Sequence, residues 1–134
     1  VAALLVQGAI VLNELVLSGS SFTSKLSIAV DLGGTAWVGT TRGLANYDGL
    51  VWNEPDDIAS PSDTSIYDIA IDAAGTRWFA TNEGIFAYDS STWTTYTTAD
   101  GLAHDKVRAI AVEGAHYKWF GTDGGGFGVR HRLS

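Results

Sequence analysis

Between Tyr67 and Thr97, apolar and polar side chains alternate in short runs, each broken by glycine or a small polar residue. A period of two puts every second side chain on one face, which is the pattern of half-buried strands. Tyr67–Asp72, Thr76–Thr81, Ile85–Asp89 and Thr92–Thr97 therefore read as four strands, A to D. The turns at Ala73–Gly75, Asn82–Gly84 and Ser90–Ser91 are short enough for antiparallel hairpins. They carry the Gly, Asn, Asp and Ser that such turns favour. A longer connection, about Thr98 to Lys106, leads to the next set of strands.

The same pattern recurs every 41 residues without a gap. Trp37, Trp78 and Trp119 keep this spacing, as do Thr40, Thr81 and Thr122. So do the acidic residues Asp31, Asp72 and Glu113, the turn glycines Gly43, Gly84 and Gly125, and the pairs Tyr47/Tyr88 and Trp52/Trp93. Four-stranded units at a period of about 40–45 residues are the mark of propeller blades. The expected fold is all-β: a β-propeller-type repeat of three four-stranded blades. An apolar N-terminal segment at 1–25 precedes repeats at about 26–66, 67–106 and 107–134.

In the third repeat, strands A (about 107–113), B (117–122) and C (126–132) are expected, and Ser134 stands where strand D is due. Moving the D strand of the first blade back by one period puts Trp52 on Val11, so residues 8–17 fall where a D strand belongs. The N-terminal strand is expected to complete the last blade. Three blades are too few for a ring, since propellers use about 4–8. Three arrangements are open: two chains in a six-bladed ring, a head-to-tail filament built by strand donation, or part of a longer propeller. In each, an uncovered blade edge is a liability until it finds a strand.

Composition narrows the function classes. Apolar residues make up 46% of the chain and charged residues 17%, which suits a well-buried domain. There is no cysteine, so disulfides and thiolate metal sites are excluded. The net charge of −7 argues against nucleic acid as a partner. Residues 1–105 carry −10 and residues 106–134 carry +3, an asymmetry that fits one end of the chain meeting an acidic surface of another copy. The apolar run from Val1 to Leu17 has no basic flank, contains Gln7, Asn13 and Glu14, and is too short to span a bilayer. With no initiator Met, the chain is expected to be processed or a fragment.

The residues carrying the repeat resemble a known family. Ile-Ala-Val-Asp-x-x-Gly-Thr-x-Trp-Val-Gly-Thr-x-x-Gly-Leu at 28–44, its copy at 69–85, the Tyr-Asp followed by Trp, and Tyr-Thr-Thr-Ala-Asp-Gly-Leu at 96–102 are similar to the two-component regulator propeller repeat. The resemblance covers about residues 26–132. It implies an extracellular or periplasmic location, either as the sensor propeller of a signalling protein or as a secreted module. The Asp-x-x-Gly-Thr-x-Trp element is also similar to the Asp-box hairpin of sialidase propellers.

The repeated residues have a structural reading. The carboxylates of Asp31, Asp72 and Glu113 are expected to accept N–H groups of the A–B turns, and Trp37, Trp78 and Trp119 to pack between blades, with Ala29, Ala70 and Ala111 in the core. Calcium needs six to eight converging oxygens, whereas these carboxylates stand one per blade, so no metal and no cofactor is expected. Trp52 and Trp93 on the outer strands are expected to pack between blades, with sugar stacking the alternative. The loops that differ between repeats are the candidate ligand-facing positions: Arg42, Asn82, Glu83 and Asp123 in the B–C turns, and His104 and Asp105 in a D–A loop, with Asp56, Asp57, Asp63 and Asp100 adding to an acidic rim. The histidines lack ligand-like spacing, and no nucleophile elbow or P-loop occurs. The expected activity is therefore non-enzymatic binding or assembly. The partner is the chain itself, with a small molecule or glycan as the alternative, and neither nucleic acid nor a membrane span is expected. A glycosidase would need a pair of rim carboxylates at hydrolase spacing.

Overall fold

The computed structural model describes residues 25–55, 61, 64–114, 117–124 and 129–132. The first sheet contains β1 (Lys25–Val30), β2 (Ala36–Thr40), β3 (Gly43–Tyr47) and β4 (Trp52–Asn53). The second contains β5 (Ile66–Ile71), β6 (Arg77–Thr81), β7 (Gly84–Tyr88) and β8 (Trp93–Tyr96). The third contains β9 (Val107–Glu113), β10 (Tyr117–Thr122) and β11 (Val129–Arg132). Each sheet is an antiparallel meander in chain order, as hairpin turns require. Among the described residues, a 3-10 turn at Thr98–Asp100 interrupts the strands. It is capped by Thr97 and closed by Gly101 at φ 103°.

The strands agree with the alternation to within about a residue, except that β4 is only two residues long. The expected donor strand at 8–17 lies outside the described residues, as do Asp56, Asp57, Asp63 and residues 126–128 of the third C strand.

The sheets stack face to face, with β5 packed against both β1 and β9. In β6, Trp78 and Phe79 point to opposite faces, as the strand pleat demands. Phe79 joins Trp37, Leu44, Ile66 and Ile69 between the first and second sheets. Trp78, Ala80, Ile85 and Ala87 join Val107, Ile110 and Phe120 between the second and third. Phe79, Ile66 and Ile85 are fully buried, and such side chains each contribute about 1.5–3 kcal/mol on burial. Close approach depends on Gly39, where a Cβ would fall on the Ile66 side chain and on Ser27.

An irregularity recurs near the start of each first strand. The ladder skips a residue between Lys25 and Ser27, between Ile66 and Asp68, and between Val107 and Ala109. Bulges of this kind re-aim a side chain. Here they free Tyr67 and Arg108, and the Arg108 guanidinium sits 4.4 Å from the Tyr67 ring centroid on the neighbouring sheet.

Two sequence expectations need correction. Trp119 is not core: it is 41% exposed, against 4% for Trp37 and 3% for Trp78. Ala29 and Ala70 are half-buried and Ala111 is exposed. The physical reason is the same for Trp119 and Ala111. Each sheet's tryptophan face is covered by the sheet that follows it, and among the described residues no sheet follows the third.

Candidate functional site

The repeated carboxylates organise the chain at two levels. Locally, Asp31 Oδ1 accepts the backbone N–H groups of Gly33 (2.9 Å) and Thr35 (3.0 Å), and Asp72 Oδ1 accepts those of Ala74 and Thr76 (both 3.0 Å). This closes the A–B turn, where Gly34 and Gly75 hold φ values of 89° and 90°. The second oxygen faces inward. Trp37 Nε1 donates to Asp31 Oδ2, and Trp78 Nε1 to Asp72 Oδ2, each at 2.9 Å.

That same inward oxygen meets a cation from the next sheet. Arg77 donates to Asp31 Oδ2 from Nη2 at 2.9 Å and from Nε at 3.2 Å. Its Cζ lies 5.4 Å from the Trp37 ring and 5.5 Å from the Tyr88 ring. Lys118 Nζ lies 3.7 Å from Asp72 Oδ2 and 4.6 Å from the centroid of Trp78. The second and third sheets thus each reach back with one cation to the carboxylate–indole pair of the sheet before. Burial works to raise the Asp31 pKa, but the hydrogen bonds from Trp37, Arg77 and Thr35, with the charge of Arg77, hold it below the usual carboxylate range. In the third sheet the local half of the device is present, with Trp119 Nε1 donating to Glu113 Oε1 at 2.8 Å.

The candidate loop residues lie in turns and loops of all three sheets, and Asn82 and Asp123 bond to the D–A loop that leads into their own sheet. Asn82 Oδ1 accepts from the Thr64 hydroxyl and from Ser65 N, while the Ser65 hydroxyl donates to Thr41 O on the first sheet. Asp123 accepts from Arg108 at 3.3 Å and lies 3.6 Å from Lys106 Nζ. Desolvation works against the Asp123 charge, but Arg108 and Lys106 lower its pKa. Asp105 accepts from Thr98 N at 2.8 Å, and His104 Nδ1 accepts from Lys106 N at 3.0 Å. Arg42 and Glu83 are exposed. The Asn82 and Asp123 contacts tie each D–A loop to the following B–C turn, whereas those of His104 and Asp105 stay within their own loop. Among the described residues, no group of three or more His, Asp or Glu side chains is arranged to hold a metal ion.

Two grooves lie beside the clamps. One, of about 300 Å³, is lined by Trp37, Asn46, Asn53, Glu54, Tyr88 and Trp93 among others. The other, of about 200 Å³, includes Asp72, Trp78, Tyr96 and Lys118 in its walls. Trp93 stacks on Tyr88 with centroids 4.5 Å apart and packs against the first–second sheet cluster. Trp52 packs on Val38 and Ala45 and against Tyr47.

This geometry matches solved structures. The extracellular domain of a B. thetaiotaomicron protein described as a hybrid two-component system aligns with a TM-score of 0.60 at 25% identity, over 72% of this chain and 15% of that one. The sheets are propeller blades. A second extracellular domain from B. thetaiotaomicron, described as a one-component system, aligns at TM-score 0.65 and 21% identity over 84% of this chain and 16% of that one. PorZ, a surface component of the type-IX secretion system of Porphyromonas gingivalis, aligns at 0.61 and 20% over 74% and 16%. The chain spans about one-sixth of the length of these structures. No family model and no curated protein matches the chain. No helix among the described residues is long and apolar enough to cross a membrane.

The inter-blade cation escaped sequence reasoning. Its signal was nonetheless present, because Arg77 and Lys118 stand one period apart, each directly before a repeated tryptophan. The series is interrupted by Ala36 in the first blade, which hides it.

Proposed function

We propose that this chain is a non-enzymatic, extracellular or periplasmic propeller module of the two-component regulator kind, which works by joining further blades through its outer faces. One observation carries the reading: Trp119 stands 41% exposed where its two equivalents are sealed by a following blade. Repeat proteins gain much of their stability at nearest-neighbour interfaces, so an uncovered face of this kind favours a neighbour. The non-enzymatic part rests on how the carboxylates are used. Asp31, Asp72, Asp105 and Asp123 all accept hydrogen bonds from turns, tryptophans or cations within the scaffold.

The test is to append a second copy of residues 94–134 in phase after Ser134, supplying a D strand and the next three strands. The extended chain is expected to unfold in one transition at higher urea, with slowed exchange at the Trp119 indole. An unchanged midpoint with a separate transition for the added segment would refute blade joining.

A second reading is self-association, with residues 8–17 of one copy completing the third blade of another as a six-bladed ring or a filament. It is favoured by the exposure of Ile28 (51%) and Val30 (61%) at the opposite end of the stack, where Ile69 and Ile110 of the other blades are buried. Native mass over a concentration series, with and without residues 1–17, tests it. An unchanged stoichiometry after the deletion refutes strand donation. For a ligand-binding role, the groove walled by Trp37, Tyr88, Trp93, Asn46 and Asn53 offers the aromatic and amide groups that suit a sugar.

A further inference from the structure

We propose that the front face of the first blade, over Val38, Ala45 and Trp52, is a docking surface for one occupant: the chain's own apolar N-terminal segment, residues 1–17. The segment stands where a preceding blade would pack. This docking is separate from the joining of blades at Trp119.

The front face is the one turned away from the second blade. In the second blade, Ile69 and Phe79 point to that side and are sealed with Trp37 and Leu44 of the first. One period earlier, Ile28 and Val38 hold those positions, paired across β1 and β2. Among the described residues no sheet lies in front of them. Both should then be open, yet they differ. Ile28 is 51% exposed and Val30 61%, whereas Val38 is 0% and Ala45, its partner on β3, is 3%. Trp52 is the described apolar side chain that packs on this pair. It is itself half-buried, and its indole Nε1 is sealed from solvent with no acceptor among the described residues. An indole that formed the outermost layer would keep its N–H wet. A further cover therefore lies over β2 to β4 and stops short of β1.

The cover is apolar, since a polar one would offer the sealed N–H an acceptor. Residues 1–17 fit, being apolar apart from Gln7, Gly8, Asn13 and Glu14. They lead into β1, at the border of the covered area, through Ser18 to Ser24. That link spans at most about 23 Å, more than the roughly 14 Å across a four-stranded sheet. Residues 56–60, also outside the described residues, suit the face less well. They carry Asp56 and Asp57 and lead from β4 to the second blade, on the other side of the sheet. A segment held on its own first blade is withheld from the third blade of a second copy, so docking competes with strand donation.

The chain has no cysteine, so an introduced thiol reports on one position. In the full-length chain, Ala45→Cys is expected to react with a maleimide at least about tenfold more slowly than Ile28→Cys on the same face. Deleting residues 1–17 should bring Ala45→Cys to the rate of Ile28→Cys, while Ala87→Cys, one period on and buried between the second and third blades, stays slow. If Ala45→Cys remains slow alongside Ala87→Cys, the proposal is overturned. A fast Ala87→Cys would show that the truncated chain has unfolded, and the full-length chain then decides. Ala45→Cys is combined in turn with Leu5→Cys, Ile10→Cys and Leu15→Cys, and each double variant is oxidised at low concentration. At least one should form a disulfide within a single chain. No disulfide in any of them overturns the proposal. Disulfides between chains only overturn it as well, and assign the segment to a second copy.

Discussion

Lys118 Nζ lies 3.7 Å from Asp72 Oδ2, with the two side chains 1% and 6% exposed and the ammonium over the Trp78 ring. A buried ion pair is held to its partner by the cost of leaving either charge alone. Lys118→Ala should therefore destabilise the chain by about 3–5 kcal/mol. The double variant Lys118→Met with Asp72→Asn should cost clearly less than the two single changes added together. Urea denaturation of the four proteins checks this, and simple additivity would show that the pair is not coupled.

The three repeated tryptophans give a graded prediction. Trp78 is 3% exposed and bonded to Asp72, so Trp78→Ala should cost about 3–5 kcal/mol. Trp119 holds the same position in the repeat but is 41% exposed, and Trp119→Ala should cost about 1 kcal/mol. Equal costs in chemical denaturation would mean that Trp119 is covered in solution.

Asp31 predicts a pH dependence. Its pKa in the folded chain lies below the 3.8 of a free carboxyl, because the bonds from Trp37 and Arg77 outweigh the opposing effect of burial. The folded state then binds its proton less readily than the unfolded state. The resulting stability is fully present above the unfolded pKa and is lost as pH falls through the lower, folded value. Asp31→Asn should lower stability at neutral pH and flatten the acid limb below about pH 4. A stability–pH curve parallel to that of the wild type would contradict this.

Two glycines separate backbone strain from contact. Gly49 (φ 104°) has open space where a Cβ would go, whereas a Cβ on Gly84 (φ 107°) would fall on the backbone oxygen of Tyr96. Gly49→Ala should cost about 1 kcal/mol from conformation alone, and Gly84→Ala about 1–3 kcal/mol more, since the β7 end must move away from β8. Thermal unfolding of both variants measures the difference.

The chain's own sequence determined the unit. Alternation with period two, turn residues at fixed offsets and a 41-residue recurrence specify four-stranded antiparallel meanders, because strand pleating and hairpin geometry are local properties. The turn-closing role of Asp31 and Asp72 was legible for the same reason, since the acceptor and its donors lie within four residues. Only the tertiary structure decided what lies between units. Trp37, Trp78 and Trp119 are identical in sequence, yet their burial is set by what packs on them and not by their own strand. Arg77 finds Asp31 across 46 residues, and the Ser65 hydroxyl finds the Thr41 carbonyl of the blade before it, because stacking brings successive repeats into contact. A periodic pattern fixes which faces a blade has. Which face is covered, and by what charge, depends on the blade beside it.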